Sequence, residues 1–70
     1  MSTARRLGVK CATDVNCPDF FELEDGRIAV IGASAGDDVR RMLPFDAGIG
    51  PDEVLVVVPG TVWRAAIRDA

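Results

Sequence analysis

The chain of 70 residues has no histidine, no tyrosine, two cysteines and a single lysine, Lys10. Without His, Tyr or a second Lys, proton transfer near neutral pH would fall mainly to carboxylates and thiols, which argues against an enzyme. Metal ligands are equally scarce. Two Cys cannot close a tetrahedral site within one chain, and no run of carboxylates has the spacing of a calcium loop. No cofactor is expected.

Positive charge is also in short supply. The formal charge is -3 and the pI about 4.6, whereas phosphate backbones are held chiefly by Lys and Arg, so direct nucleic-acid binding is not expected. The cations gather near the two ends, with Arg5, Arg6 and Lys10 at one and Arg64 and Arg68 at the other. Between them Asp14, Asp19, Glu22, Glu24 and Asp25 form an acidic stretch with no interrupting base. A surface of this kind suits protein partners better than nucleic acid.

Long apolar runs are missing too. Residues 1–10 lack the apolar centre of a signal peptide, and nothing approaches the length of a membrane span. These features point to the cytoplasm, where Cys11 and Cys17 are expected to be reduced thiols. Size is the last shortage. A domain of this length hides only about 60% of the surface its unfolded chain exposes, so disulfides, a metal or a second subunit commonly support it.

What is present is strong local patterning. Two alternating runs meet at Asp25-Gly26, a pair favoured in tight hairpin turns, and predict a hairpin over residues 20–31. With Asp25 and Gly26 as a two-residue loop, Glu24 faces Arg27, Leu23 faces Ile28, Phe21 faces Val30 and Phe20 faces Ile31. Phe21, Leu23, Ile28 and Val30 then share one apolar face, and Phe20, Ala29 and Ile31 lie on the other. Upstream, Leu7, Val9 and Cys11 alternate with Arg6, Gly8 and Lys10 as a short strand.

Downstream, Asp37 to Leu43 reads as a two-turn helix stopped by Pro44. Its acids lie at the positive end of the helix dipole, and Val39, Met42 and Leu43 form one stripe. Residues 54–58 are apolar without alternation, which predicts a strand covered on both faces and central in its sheet. A helix over 61–69 follows, N-capped by Thr61, with Val62, Trp63, Ala66, Ile67 and Ala70 on its apolar stripe. The connection between hairpin and central strand is long enough for a crossover, so the two can run parallel. The resulting expectation is one α+β domain over 1–70, a small mixed β-sheet of about four strands with a short helix (37–43) and a C-terminal helix (61–69).

Candidate sites are few. Gly32-Ala33-Ser34-Ala35-Gly36 spells the G-x-S-x-G of a nucleophile elbow, but the chain has no His to serve as base, so Ser34 or Asp37 is expected to cap the helix instead. The same glycines could offer N–H groups to a phosphate, yet Asp37 and Asp38 would repel it and no P-loop Lys follows. Cys11 and Cys17 are five residues apart, which is neither a redox C-x-x-C nor a zinc half-site. They are expected as small buried side chains, with a disulfide on oxidation or a zinc site shared between two subunits as the alternatives. The loop over 44–53, rich in Pro and Gly and anchored through Phe45 and Ile49, is the candidate ligand-binding segment; its Asp46, Asp52 and Glu53 are read as solubilising. Trp63 on its stripe reads first as core, with an interface anchor as the alternative; Phe20, Ile31, Trp63 and Arg64 are the candidate interface residues, because the apolar surface on the hairpin needs a cover and Trp is enriched at interface hot spots.

The segments 17–32, Cys-Pro-Asp-Phe-Phe-Glu-Leu-Glu-Asp-Gly-Arg-Ile-Ala-Val-Ile-Gly, and 51–59, Pro-Asp-Glu-Val-Leu-Val-Val-Val-Pro, resemble a family of small uncharacterised actinobacterial proteins, over roughly positions 17 to 68. In pattern they are also similar to small domain-of-unknown-function proteins encoded beside helix-turn-helix regulators, from which this chain departs in its Gly-Pro loop and Arg-rich N-terminal segment. The resemblance implies an accessory protein of a regulatory locus that binds the DNA-binding regulator. It supplies no catalytic residues. Taken with the composition, it makes the expected function a non-enzymatic interaction module, acting as a homo-oligomer or as a regulator's partner. A small-ligand or metal-binding protein using the 44–53 loop or Cys11 and Cys17 is the alternative.

Overall fold

A computed structural model describes residues 3–8 and 17–70. The fold is α+β. Strands β1 (Ala4–Leu7), β2 (Asp19–Leu23) and β3 (Ile28–Ile31) form an antiparallel sheet in that spatial order. Strand β4 (Ala33–Ser34) leads into helix α1 (Asp37–Met42), and β5 (Val56–Val57) returns to pair antiparallel with β4 before helix α2 (Gly60–Asp69) closes the chain.

The hairpin forms where its turn chemistry places it, but in a different register. Phe20 faces Val30, Phe21 faces Ala29 and Glu22 faces Ile28, one step from the pairing that a two-residue loop dictates. The reason is the loop length. The Leu23 N–H donates to the Arg27 carbonyl at 2.8 Å and the Gly26 N–H donates to the Leu23 carbonyl at 3.0 Å, so Glu24, Asp25 and Gly26 are all loop residues. Gly26 takes φ +93°, the left-handed residue that follows a type I turn in three-residue hairpins. The Asp25 carboxylate fastens the turn, accepting from the Arg27 backbone N–H at 3.1 Å and from its side-chain Nε at 2.8 Å.

That one-residue shift exchanges the faces. Phe20, Ile28 and Val30 now share a face with Leu7, which is opposite Phe20 on β1. Phe21, Leu23, Ala29 and Ile31 lie on the other face, where the Arg6 guanidinium sits 5.1 Å over the Phe21 ring and pairs with Asp19 at 2.9 Å. Helix α2 lies on the first face across β1 and β2. Leu7, Phe20 and Ala66 form the buried core, with Val58 and Val62 packed against it.

The helix is tied down at its C-terminal end. The Gly8 N–H donates to the Asp69 carboxylate at 2.7 Å, and Arg5 donates to the Asp69 carbonyl at 3.2 Å while pairing with Glu22 at 3.0 Å. Gly8 has φ +88°, and a Cβ there would stand 3.3 Å from the Ala66 nitrogen, so glycine both turns the chain out of β1 and lets α2 approach. The expected continuation of this strand through Val9 and Cys11 lies outside the described residues.

Residues 54–58 do not form a central strand. Only Val56 and Val57 pair, on one side, and both are exposed, while Val54 is 81% exposed. The sheet is accordingly not mixed, and no parallel crossover joins β3 to β5. An apolar run without alternation is compatible with cover on both faces but does not supply it, and the elements among the described residues are too few to do so. Two smaller expectations also change. Pro59, not Thr61, precedes the first turn of α2, and Gly36 stands at the start of α1, with no side chain capping either helix.

Candidate interaction surface

Helix α2 is wide enough to cover two strands of a three-stranded sheet, and β3 is left bare. Around the helix, Ala66 points down into the core and Val62 and Ala65 fall on the side of Leu7 and Gly8, so helical spacing puts Trp63 and Ile67 on the opposite flank, away from β1. The Trp63 ring meets the Phe20 ring at a centroid distance of 5.7 Å and an interplanar angle of 53°. Trp63 nevertheless remains 50% exposed. Ile28 and Val30, beside Phe20 on the same sheet face, are exposed as well. Ile28 and Val30 on the sheet and Trp63 and Ile67 on the helix are thus four exposed apolar side chains on either side of the buried Phe20.

The backbone of β3 is open along the same side. The Leu23 N–H donates to the Arg27 carbonyl, so in the alternating antiparallel pattern Ala29 and Ile31 also point their main-chain groups at β2, and Ile28 and Val30 point theirs outward. Among the described residues no main-chain or side-chain group reaches that outer edge. The strand β5 pairs with the continuation of the chain beyond Gly32 and does not cover it.

Of the residues that the sequence singles out, Trp63 belongs to this surface. Phe20 does not offer a contact, because it is 5% exposed and lies buried beneath the Trp63 ring. Ile31 is exposed on the opposite face of β3, and Arg64 lies on the outward side of α2 with its guanidinium close to Gly60, so neither joins Trp63. Ile28 and Val30 were to be found only through the true register. Ile67 stood on the helical stripe but reads there as core.

Elsewhere the chemistry is sparse. A cleft of about 450 Å³ between the end of β3 and β5 is lined by Cys17, Pro18, Ile31, Gly32, Ala33, Val57 and Pro59, with no charged side chain among them. Cys17 is disulfide-bonded, in contrast to the reduced thiol that a cytoplasmic setting suggests, and in that state it offers no thiolate to a metal. Cys11 lies outside the described residues. Among the described residues no three His, Cys, Asp or Glu side chains gather as metal ligands, and no helix is long and apolar enough to cross a membrane.

The 44–53 loop is built of two local turns. The Ala47 N–H donates to the Pro44 carbonyl and the Glu53 N–H to the Gly50 carbonyl, each at 3.0 Å, and the Glu53 carboxylate accepts from the Gly50 N–H at 2.7 Å. Phe45 does not anchor the loop; it is fully exposed, and Ile49 is exposed also. Ser34 is an exposed strand residue. No family model, curated protein or solved structure matches the chain.

Proposed function

We propose that this chain is a non-enzymatic protein-interaction module, completed by association with another folded chain. One observation carries the reading: the surface is too large for the mass. The chain exposes 5736 Å², about 1,500 Å² more than a compact monomer of 7.5 kDa is expected to show. Its radius of gyration of 13.6 Å likewise exceeds the roughly 11 Å of a compact chain of this length. The exposed side chains include the large apolar Ile28, Val30, Trp63 and Ile67, and apolar side chains left in water gain most by association.

The partner is a second copy or, as the resemblance implies, a helix-turn-helix regulator. Light scattering and native mass spectrometry across a dilution series, with and without the co-purified regulator, test the reading. An assembly of defined stoichiometry is the expected result, with no salt-sensitive binding of a DNA duplex by the isolated chain. A stable monomer at every concentration that captures no regulator would overturn it.

A further inference from the structure

We propose that two copies pair edge to edge through β3, antiparallel and centred on Ala29, so that the two three-stranded sheets become one continuous sheet. This deepens the interaction-module reading and rests on it. Three features of the strand support a second copy as the occupant.

The first is the open edge. Residues Ile28–Ile31 contain no proline, no charge and no bulge, the devices by which a monomeric protein protects an exposed strand from pairing. Ile28 and Val30 direct their N–H and C=O groups outward, and no group among the described residues receives them.

The second is self-complementarity. In an antiparallel pair, residues directly opposite each other point to the same face, so a two-fold axis perpendicular to the sheet can pair only positions of equal parity. Centring the axis on Ala29 sets Ile28 against Val30 of the second copy and Val30 against its Ile28, the residues whose main-chain groups face outward. Ala29 meets its own counterpart at a non-hydrogen-bonded position, where Cα atoms approach to about 4.5 Å and a methyl side chain fits. On one face the Ile28 and Val30 side chains of the two copies meet as one apolar strip, on the same side of the sheet as the exposed Trp63 of each copy. On the other, Ile31 lies opposite Arg27, and no like charges meet.

The third is area. A standard interface removes about 800 Å² from each partner; taken over the whole chain, the 33–57 excursion included, the surface in excess of a compact monomer is larger than that, and Ile28, Val30, Trp63 and Ile67 are part of it. The two-fold also closes the assembly, because pairing consumes the only outer edge of β3 and leaves no further copy to add there.

Amide hydrogen exchange and a proline variant test the pairing in the full chain. In concentrated protein the Ile28 and Val30 amides should be protected as strongly as that of Ala29, which is bonded within the chain, and dilution should remove the protection from Ile28 and Val30 alone. Val30→Pro deletes an N–H that the chain's own sheet does not use, so it should abolish the dimer while leaving the circular dichroism spectrum of the fold. A dimer whose Ile28 and Val30 amides exchange as freely as loop amides would overturn the edge pairing and leave the interaction module standing. A Val30→Pro chain that folds and still dimerises would do the same. A wild-type monomer with no captured regulator would remove both. Should Val30→Pro fail to fold, the exchange experiment on the unaltered chain decides alone.

Discussion

The three-stranded sheet with α2 and the excursion over residues 33–57 use their apolar residues in opposite ways. The sheet unit buries Leu7, Phe20 and Ala66 under a single helix, and backs that small core with Arg5–Glu22 and Arg6–Asp19 pairs, a tethered helix end and a two-sided ladder on β2. The excursion buries nothing outright. Met42, Phe45 and Val54 are exposed, α1 spans Asp37–Met42 without a buried side chain, and the segment is held mainly by the short pairing of β4 with β5 and by Val58 against the core. Stability in this protein is therefore concentrated, and substitutions of the same chemical kind should differ sharply between the two regions.

The widest contrast is between two phenylalanines. Phe20→Ala removes the largest core side chain and the support of Trp63, which should cost about 3–5 kcal/mol, enough to unfold a domain of marginal stability. Phe45→Ala removes a fully exposed ring and should change the urea midpoint by an amount equivalent to less than about 0.5 kcal/mol. Urea unfolding of the two variants at one protein concentration measures both. A large loss from Phe45→Ala would show that the excursion has a cover of its own.

Gly32 lies at the joint between the regions, and its substitution sharpens the comparison. A Cβ there would stand 2.7 Å from the Val57 carbonyl oxygen and 2.8 Å from Val58 Cγ1, closer than packing allows. Gly32→Ala should push β5 away from β4 at a cost of about 1–3 kcal/mol. The amide of Ala35, which donates to the Leu55 carbonyl at 2.9 Å, should lose its exchange protection while the β2–β3 amides keep theirs. Equal losses in both places would mean that the regions unfold as one unit.

The sequence made local features legible and left nonlocal ones ambiguous. The hairpin, the short helix and the terminal helix each announce themselves through turn chemistry or a 3.6-residue stripe within a dozen positions, and Trp63 is picked out by its place on such a stripe. The register is different. Asp25-Gly26 suits a two-residue loop and equally the last two places of a three-residue loop, and the choice turns on which pairing buries Phe20 beneath a helix that lies forty positions away in the chain. The same lack of tertiary information makes Val54 to Val58 read as a core strand. Its apolarity is real, but among the described residues no second layer covers it.

Gly26→Val tests the turn within the stronger region. Nothing lies within 4 Å of where a Cβ would point, so the whole cost is backbone: φ +93° is a conformation that a β-branched residue resists. A loss of about 1–2 kcal/mol is expected, smaller than that of Phe20→Ala, with weakened protection of the Leu23 amide. Gly26→Asn should recover part of it, since Asn tolerates the left-handed region. If both variants cost the same, the strain is not the cause.

The smallest effect belongs to Asp25. Hydrogen bonds from the Arg27 side chain and backbone hold its carboxyl below the usual carboxylate range. A folded-state pKa below the unfolded value contributes stability that is present above the unfolded pKa and is lost as pH falls through the folded one, so the turn should loosen only in acid. Both groups are exposed, and solvent and salt screen the pair, so the change should register locally rather than in the global midpoint. Following the Arg27 amide and side-chain Nε resonances during an acid titration should show both moving with the Asp25 carboxyl. In Asp25→Asn that step should vanish, while the core signals of Leu7 and Phe20 stay unchanged; a coupled change in the core would mean that the turn is no local clasp but part of what holds β2 under α2.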